Sequence, residues 1–346
     1  MYAFYRQNYL ELKESQSYNS QVRSPYFRIE WLDFINAWHG HQPVVIEIKK
    51  DQHRIGWFCG FEKRVGAWKM IGSPLPGCLG QTMGFSLENG ANEVQQELLD
   101  ELLEYLHKVC KYSYITICDE KIGRELIDNS SKKLIYGSSY VTWFLDIDRP
   151  LEEIKKGFTK TYRNYINKFQ KSGGVIREDN SDEFIVEHNR QLVDVYDRDG
   201  IPSPNIISKY KKLLEATKET DIVYCIRADM PEQKNIGSSI YVSNGEWAYF
   251  LTNASYSNWL NARPNQSLMW NAIEYMQRRG IKKMDLVGPG AYKGYYGAEA
   301  VEIPNLVYSP NRLFYIGMTT VRKLYYASYR WRGAIKKLLR KAPKKV

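Results

Sequence analysis

Strand, strand, strand, helix, strand: the 346-residue chain spells this order twice, and few folds can absorb it. In the first half, short runs with strand character at Val44 to Ile48, Ile55 to Phe61 and Ala67 to Ile71 precede a Gly/Pro-rich loop from Gly72 to Gly90. A helix follows from about Glu93 to Cys110, with Val94, Leu98, Leu102, Leu106 and Val109 spaced three or four apart. Strands at Tyr114 to Ile117 and Tyr140 to Leu145 close the unit. About 170 to 180 residues further on the order returns, as strands at Ile222 to Ile226, Gly237 to Val242 and Trp247 to Leu251, a helix from about Asn265 to Arg279, and strands at Lys283 to Val287 and Ile303 to Tyr308. Six elements in register imply two copies of one α/β unit. The length agrees, being too great for one average domain and right for two.

Between the copies the spacing predicts a linking helix over residues 151–171. Pro150 suits its first turn, Glu152 and Glu153 complement its positive end, and Gly173-Gly174 stop it. One face is apolar (Leu151, Ile154, Phe158, Tyr165, Ile166, Phe169) and the other basic (Lys155, Lys156, Lys160, Arg163, Lys168, Lys171). The basic face is either a solvated surface or a wall of an inter-domain groove that holds phosphate or carboxylate groups. Two more helices are expected near Ser181 to Asp199 and Asn205 to Thr217. The domains are then 1–148, 149–312 and a basic tail, 313–346.

Net charge of +10 invites a nucleic-acid partner until its position is considered. Ten Lys or Arg and no acid lie from Arg322 onward, so the body carries 39 of each sign and sums to zero. Long-range attraction to an anionic surface therefore belongs to the tail. There Leu324, Trp331, Ile335, Leu338 and Leu339 fall on one helical face and basic residues on the other, so this C-terminal amphipathic helix either lies on an anionic bilayer or packs its stripe on the second domain. The aromatic residues Tyr325, Tyr326, Tyr329 and Trp331 are read as helix packing in preference to base stacking. Five scattered cysteines, none in C-x-x-C spacing, read as reduced and mostly buried. Met1 to Leu10 has no apolar leader core, and no stretch approaches the roughly 20 apolar residues that span a bilayer. The expected location is cytoplasmic, or peripheral on the inner face of the membrane.

Particular segments sharpen the fold. Ser24-Pro25-Tyr26-Phe27 with Trp31-Leu32, the stretch Tyr162-Arg163-Asn164 with Lys168 and Gly173-Gly174-Val175, and above all Gln266 to Lys293 resemble, in order and spacing, the signatures of FemAB-like and CelD-type acyltransferases of the GNAT superfamily. The last segment runs through Leu268, Ile273-Glu274-Tyr275, Arg279-Gly280-Ile281, Met284-Asp285-Leu286 and Gly288 to Tyr292-Lys293. The resemblance covers most of residues 24 to 310. It implies two tandem GNAT-like domains with mixed sheets flanked by helices and an inter-domain groove. It also implies transfer of an acyl group from acyl-CoA, or from aminoacyl-tRNA, to a cell-wall peptide, lipid-linked sugar or exopolysaccharide unit. Tyr26, Trp31, Lys160 and Arg163 are then expected at the acceptor.

One departure bears on the donor. GNAT enzymes that bind CoA usually carry a glycine-rich loop before the main helix, whose amides hold the pyrophosphate. Here the matching stretch, Asn261 to Ser267, has no glycine. Arg263 supplies charge, and the amides after Pro264 (Asn265, Gln266, Ser267) are the candidates for holding the donor, with Asn253 at the end of the preceding strand. No permanently bound cofactor is expected; acyl-CoA enters as co-substrate. A metal is not expected either, since His39 and His41 have no evident third ligand.

Acyl transfer needs a neutral nucleophile near an activated carbonyl, donors for the oxyanion and a proton acceptor. With no G-x-S-x-G elbow and no Cys/His pairing, direct attack is the expected mechanism. Asp285, ending a strand beside Gly288-Pro289-Gly290, orients the acceptor, takes its proton, or only caps the turn. Lys293 either meets a phosphate or the oxyanion or is an ordinary solvated lysine, and Tyr296 assists as a donor. Three functions stay open: an acyl-CoA-dependent N- or O-acyltransferase of envelope polysaccharide or lipid-linked precursors, an aminoacyl-tRNA-dependent enzyme acting on a peptidoglycan precursor, and a non-catalytic binding protein. The neutral body weighs against tRNA.

Overall fold

A computed structural model describes residues 1–341 except residue 16, residues 89–93, and residues 134, 199, 201, 202, 204 and 205. Side chains of residues 136, 325, 326 and 329–341 are also outside the described set. The strands are β1 (Tyr2–Arg6), β2 (Gln42–Lys50), β3 (His53–Val65), β4 (Trp68–Ser73), β5 (Gly84–Leu87), β6 (Tyr114–Cys118), β7 (Ile135–Asp146), β8 (Val175–Glu178), β9 (Val223–Met230), β10 (Gln233–Asn244), β11 (Trp247–Ser255), β12 (Lys283–Asp285) and β13 (Glu299–Tyr308). They pair in the order β1-β2-β3-β4-β6-β13-β7-β12-β11-β10-β9-β8, with β5 against β3.

The repeat is visible in the pairing. β2-β3-β4 is an antiparallel meander, and β4 then crosses over through the helix Gln96–Glu104 to the parallel strand β6. β9-β10-β11 is the second meander, and β11 crosses over through the helix Pro264–Arg278 to the parallel strand β12. The last strand of each unit is exchanged: β7 pairs with β12 of the second unit and β13 with β6 of the first, while β7 and β13 pair with each other. The tandem GNAT-like plan expected from the sequence is present, but its two mixed sheets are hydrogen-bonded into one. An antiparallel ladder between two edge strands satisfies backbone groups that would otherwise face solvent.

Three apolar cores flank the sheet. One lies on the face shared by both units and gathers Tyr26, Trp31, Phe34, Trp57, Phe61, Phe184, Tyr210, Ile240 and Tyr249 around the helices Ile29–His39, Asp182–Arg198 and Ile207–Thr217. The others sit behind each unit, around the two crossover helices. Because Met284 and Leu286 enter the core behind the second unit, alternation sends Asp285 between them to the shared face.

Some elements differ from the expectation. The helix expected over 151–171 is two helices, Leu151–Gly157 and Lys160–Lys171, because the Thr159 hydroxyl caps the second by accepting from the Tyr162 N–H (3.4 Å). The loop from Gly72 to Gly90 contains β5, which hydrogen-bonds to residues 56–59 of β3. The helix expected to begin at Glu93 starts, among described residues, at Gln96, and Glu93 itself lies outside them. Four cysteines are buried, Cys78 is partly so, and all are free thiols.

Candidate active site

β11 and β12 run parallel for three residue pairs only, Trp247 with Lys283, Ala248 with Met284 and Tyr249 with Asp285. β12 then ends while β11 continues to Ser255, so beyond Tyr249 and Asp285 the sheet opens. The opening leads into a cavity of about 270 Å³ lined by Phe250 and Asn253 of β11, Tyr241 of β10, Asn265, Gln266 and Met269 of the crossover helix, Tyr162, and Tyr292 and Tyr296. Asn253 donates from Nδ2 to the Ser239 hydroxyl (2.7 Å) at the wall of this cavity.

The start of the crossover helix forms one end of this cavity. Arg263 occupies the position before the helix with φ +60°, a left-handed conformation where glycine is the usual occupant, and its guanidinium lies over the Tyr165 ring (4.4 Å). Pro264 follows in the first helical turn, where a missing N–H costs nothing. Asn265 Oδ1 and Ser267 Oγ are buried and find no hydrogen-bond partner among the described residues. Buried polar atoms are rarely left so, and a donor's amide groups would satisfy an oxygen such as Asn265 Oδ1. The volume holds an acyl group with part of its carrier arm and leaves a nucleotide outside, so the residues fit the reactive end of an acyl donor; without the glycine-rich loop they offer a pyrophosphate less.

At the tip of β12, beside this cavity, lies a buried polar cluster. Asp285, 1% exposed, accepts at Oδ1 from the Thr142 hydroxyl and from the Val287 N–H (2.7 Å). Burial pushes its carboxyl up to about 6, against the pull of those hydrogen bonds and of Lys293. Lys293, 4% exposed, donates from Nζ to the carbonyls of Val287 (2.6 Å) and Gly288 (2.8 Å); burial lowers its ammonium to about 8, opposed by the Asp285 charge. The Tyr140 hydroxyl accepts the Gly288 N–H (2.6 Å). Val287 is β-branched yet has φ +47°, so this turn is held by its hydrogen bonds against its own preference. Neither Asp285 nor Lys293 lines the cavity; flanking Tyr292 and Tyr296 do. Tyr296 packs edge-on against Phe158 (5.2 Å) and Tyr162 (4.8 Å), and the Thr159 N–H donates to the Tyr295 carbonyl (3.0 Å), so the helix break fixes this segment.

On the shared face lies a larger cavity, about 490 Å³, lined by Arg23, Ser24, Thr82, Asp119, Glu120, Lys121, Trp247, Tyr249 and Lys283 among others. Its acids differ in duty. Asp119 fastens the end of β6 to β5, accepting from the N–H groups of Phe85 (2.7 Å) and Lys121 (2.9 Å), and Gly84 (φ +115°) is required there because a Cβ would collide with the Asp119 carboxylate. Glu120 is pushed up to about 7, first by burial and further by the Asp119 and Asp285 charges, with Lys121 (3.7 Å) opposing. A carboxylate that titrates near neutrality in a cavity suits proton transfer.

The expected acceptor residues are placed otherwise. Tyr26 and Trp31 are each 1% exposed and packed in the shared core, their rings 4.8 Å apart, so neither presents a surface to a ligand. Tyr26 instead packs at a tilt against Tyr249 (4.3 Å), which lines the larger cavity. Arg163 is spent on the helix break, donating to the carbonyls of Lys156 (2.9 Å) and Phe158. Lys160 is exposed at the start of the same helix. Glu120 belongs to none of the motifs above, although three charged residues directly after the apolar run Tyr114–Cys118 signal a strand end facing a crevice.

The sequence of residues 156–296 matches the family model described as an acetyltransferase (GNAT) domain. No curated protein matches the chain by sequence. Among solved structures, FemX superposes with a TM-score of 0.71 at 14% identity, over 90% of this chain and 98% of that one. A conserved protein of unknown function from Bacteroides thetaiotaomicron gives 0.54 at 10% identity, over 89% and 99%. A tandem GNAT protein from the clavulanic acid biosynthesis pathway gives 0.50 at 8% identity, over 90% and 99%. At such identities the likeness is one of fold. Residues 156–296 are thus a domain of the GNAT superfamily, carried within a FemX-like tandem GNAT fold.

Proposed function

We propose that the protein is an acyltransferase in which the opening between β11 and β12 takes the activated acyl group and the larger cavity on the shared face takes the nucleophile. The separation of β11 from β12 into a cavity lined by residues of the GNAT-type domain carries this reading. The donor is acyl-CoA, with Asn253, Asn265, Gln266 and Ser267 around its arm and Arg263 and Lys160 nearest the phosphates outside. The acceptor is an amine or hydroxyl of a cell-envelope polysaccharide or lipid-linked sugar precursor, lying between units divided near residue 148.

In this mechanism the nucleophile attacks the donor carbonyl directly, Glu120 takes the nucleophile's proton, and the carbon–sulfur bond breaks so that the carrier leaves as a thiolate. Lys293 acts as a cation from behind the cavity wall: it holds the 287–288 carbonyls and with them the turn that leads to Tyr296, whose hydroxyl serves the developing oxyanion. Asp285 fixes the same turn and keeps Lys293 protonated near neutral pH.

Thermal-shift measurements with acetyl-CoA and longer acyl-CoAs test the donor: saturating thioester raises the melting temperature if the reading is right. The missing glycine loop favours a second donor, aminoacyl-tRNA; no shift with any thioester, together with retention on charged tRNA, selects it. Mass spectrometry of envelope glycans from cells with and without the protein then reports acyl group and acceptor together.

A further inference from the structure

The last helix, Arg312–Lys341, rests on the body through its start and exposes an apolar stripe among its described residues. Phe314 stacks on Trp68 (4.7 Å) and meets Tyr114 edge-on (6.1 Å), and Arg322 donates to the Ser138 hydroxyl (3.3 Å), so the first units of the helix rest on the N-terminal half. On the other side Leu313, Ile316, Val321 and Leu324 are 81%, 48%, 62% and 64% exposed. At 100° per residue these four lie within an arc of about 140°, the width of an amphipathic face. The sequence continues the same period through Trp331, Ile335, Leu338 and Leu339, whose side chains lie outside the described residues.

We propose that this helix docks in the plane of an anionic lipid surface, its stripe among the acyl chains and its basic residues at the headgroups. Charge chooses the occupant. Residues 312–346 contain eleven Lys or Arg and no acid. A second copy would bring like charge to like charge, whereas an anionic leaflet attracts every one of them. Among the described residues no helix is long and apolar enough to cross a membrane, so the attachment is peripheral. This deepens the reading above by favouring a lipid-linked acceptor, and rests on it only for that; the binding itself is independent of turnover.

Co-sedimentation of the full chain with phosphatidylglycerol-containing vesicles, against pure phosphatidylcholine, tests the proposal. Wild type should sediment with the anionic vesicles, less so as salt rises, and remain in solution with the neutral ones. The double variant Leu313→Asp, Leu324→Asp alters two exposed side chains, so its melting temperature should be unchanged while anionic-vesicle affinity falls at least about tenfold. Wild type in the supernatant at every anionic content, equal sedimentation of the variant, or a wild-type dimer in light scattering that the variant dissociates would each overturn it, the last assigning the stripe to a second copy. Because no turnover is read, failure here leaves the acyltransferase reading standing, and failure of that reading leaves this result intact.

Discussion

Replacing Asp285 by asparagine separates what this buried carboxylate costs from what it does. Its carboxyl titrates at about 6 in the fold against 3.8 unperturbed, a rise of about two units. At 1.36 kcal/mol per unit the ionised form is disfavoured by about 3 kcal/mol. The folded-state value lies above the unfolded one, so the native state binds the extra proton between about pH 4 and pH 6. Native stability therefore declines as pH rises through that window, and the cost is complete above it. Asparagine keeps the shape and an oxygen for the Val287 N–H, and carries no charge at any pH. The variant should thus gain on wild type by a few degrees in melting temperature between pH 4 and pH 7, while turnover falls about a hundredfold or more as Lys293 loses its counter-charge. Thermal denaturation of both proteins across that range, beside a rate measurement at neutral pH, is sufficient. A difference in melting temperature that stays constant from pH 4 to pH 7 would refute the claim that Asp285 carries this burial cost.

Turnover should follow a narrow bell with pH, rising as Glu120 deprotonates near 7 and falling as Lys293 loses its proton near 8; Glu120→Gln should abolish the acidic limb, and an unchanged limb would remove Glu120 from the proton path. Met269→Trp should fill part of the 270 Å³ cavity and weaken thioester stabilisation at least about tenfold, after any overpacking loss of about 1–3 kcal/mol is measured by denaturation. Unaltered donor binding would mean the arm lies elsewhere. Trp31→Ala should destabilise by about 3–5 kcal/mol with acceptor KM unchanged in the protein that stays folded, and a raised KM without loss of stability would restore Trp31 to the acceptor site.

Much of the candidate site was legible one segment at a time. Asn253, Asn265 and Gln266, expected at the donor, and Tyr296 do meet in one cavity, the helix start being marked locally by Pro264 and the turn after Tyr296 by Gly297. Trp31 and Tyr26 show the opposite. An aromatic motif has the same letters whether it lines a groove or fills a core, and here three helices close over it. Lys293, expected to be solvated or to reach a ligand, is instead turned inward onto two carbonyls that the Val287 turn brings within reach. Glu120 required knowing that β5 and β11 flank the end of β6, a meeting between residues far apart in the chain.

Periodicity marked the strands and helices of the two α/β units, since each depends on which side chains recur at 2 or 3.6 residues, and the order of charged residues along the chain placed the excess positive charge in the tail. The tertiary structure decided the exchange of β7 and β13, which joins the sheets, and the depth at which Asp285 and Lys293 lie. Strand partners are chosen through backbone hydrogen bonds that every residue but proline offers alike, so the letters say which face of a strand is buried and leave its neighbour open. Ionisation near neutrality at Glu120 and Asp285 follows from that neighbour, because a carboxylate's proton affinity is set by the solvent and charge that the packed fold removes or supplies.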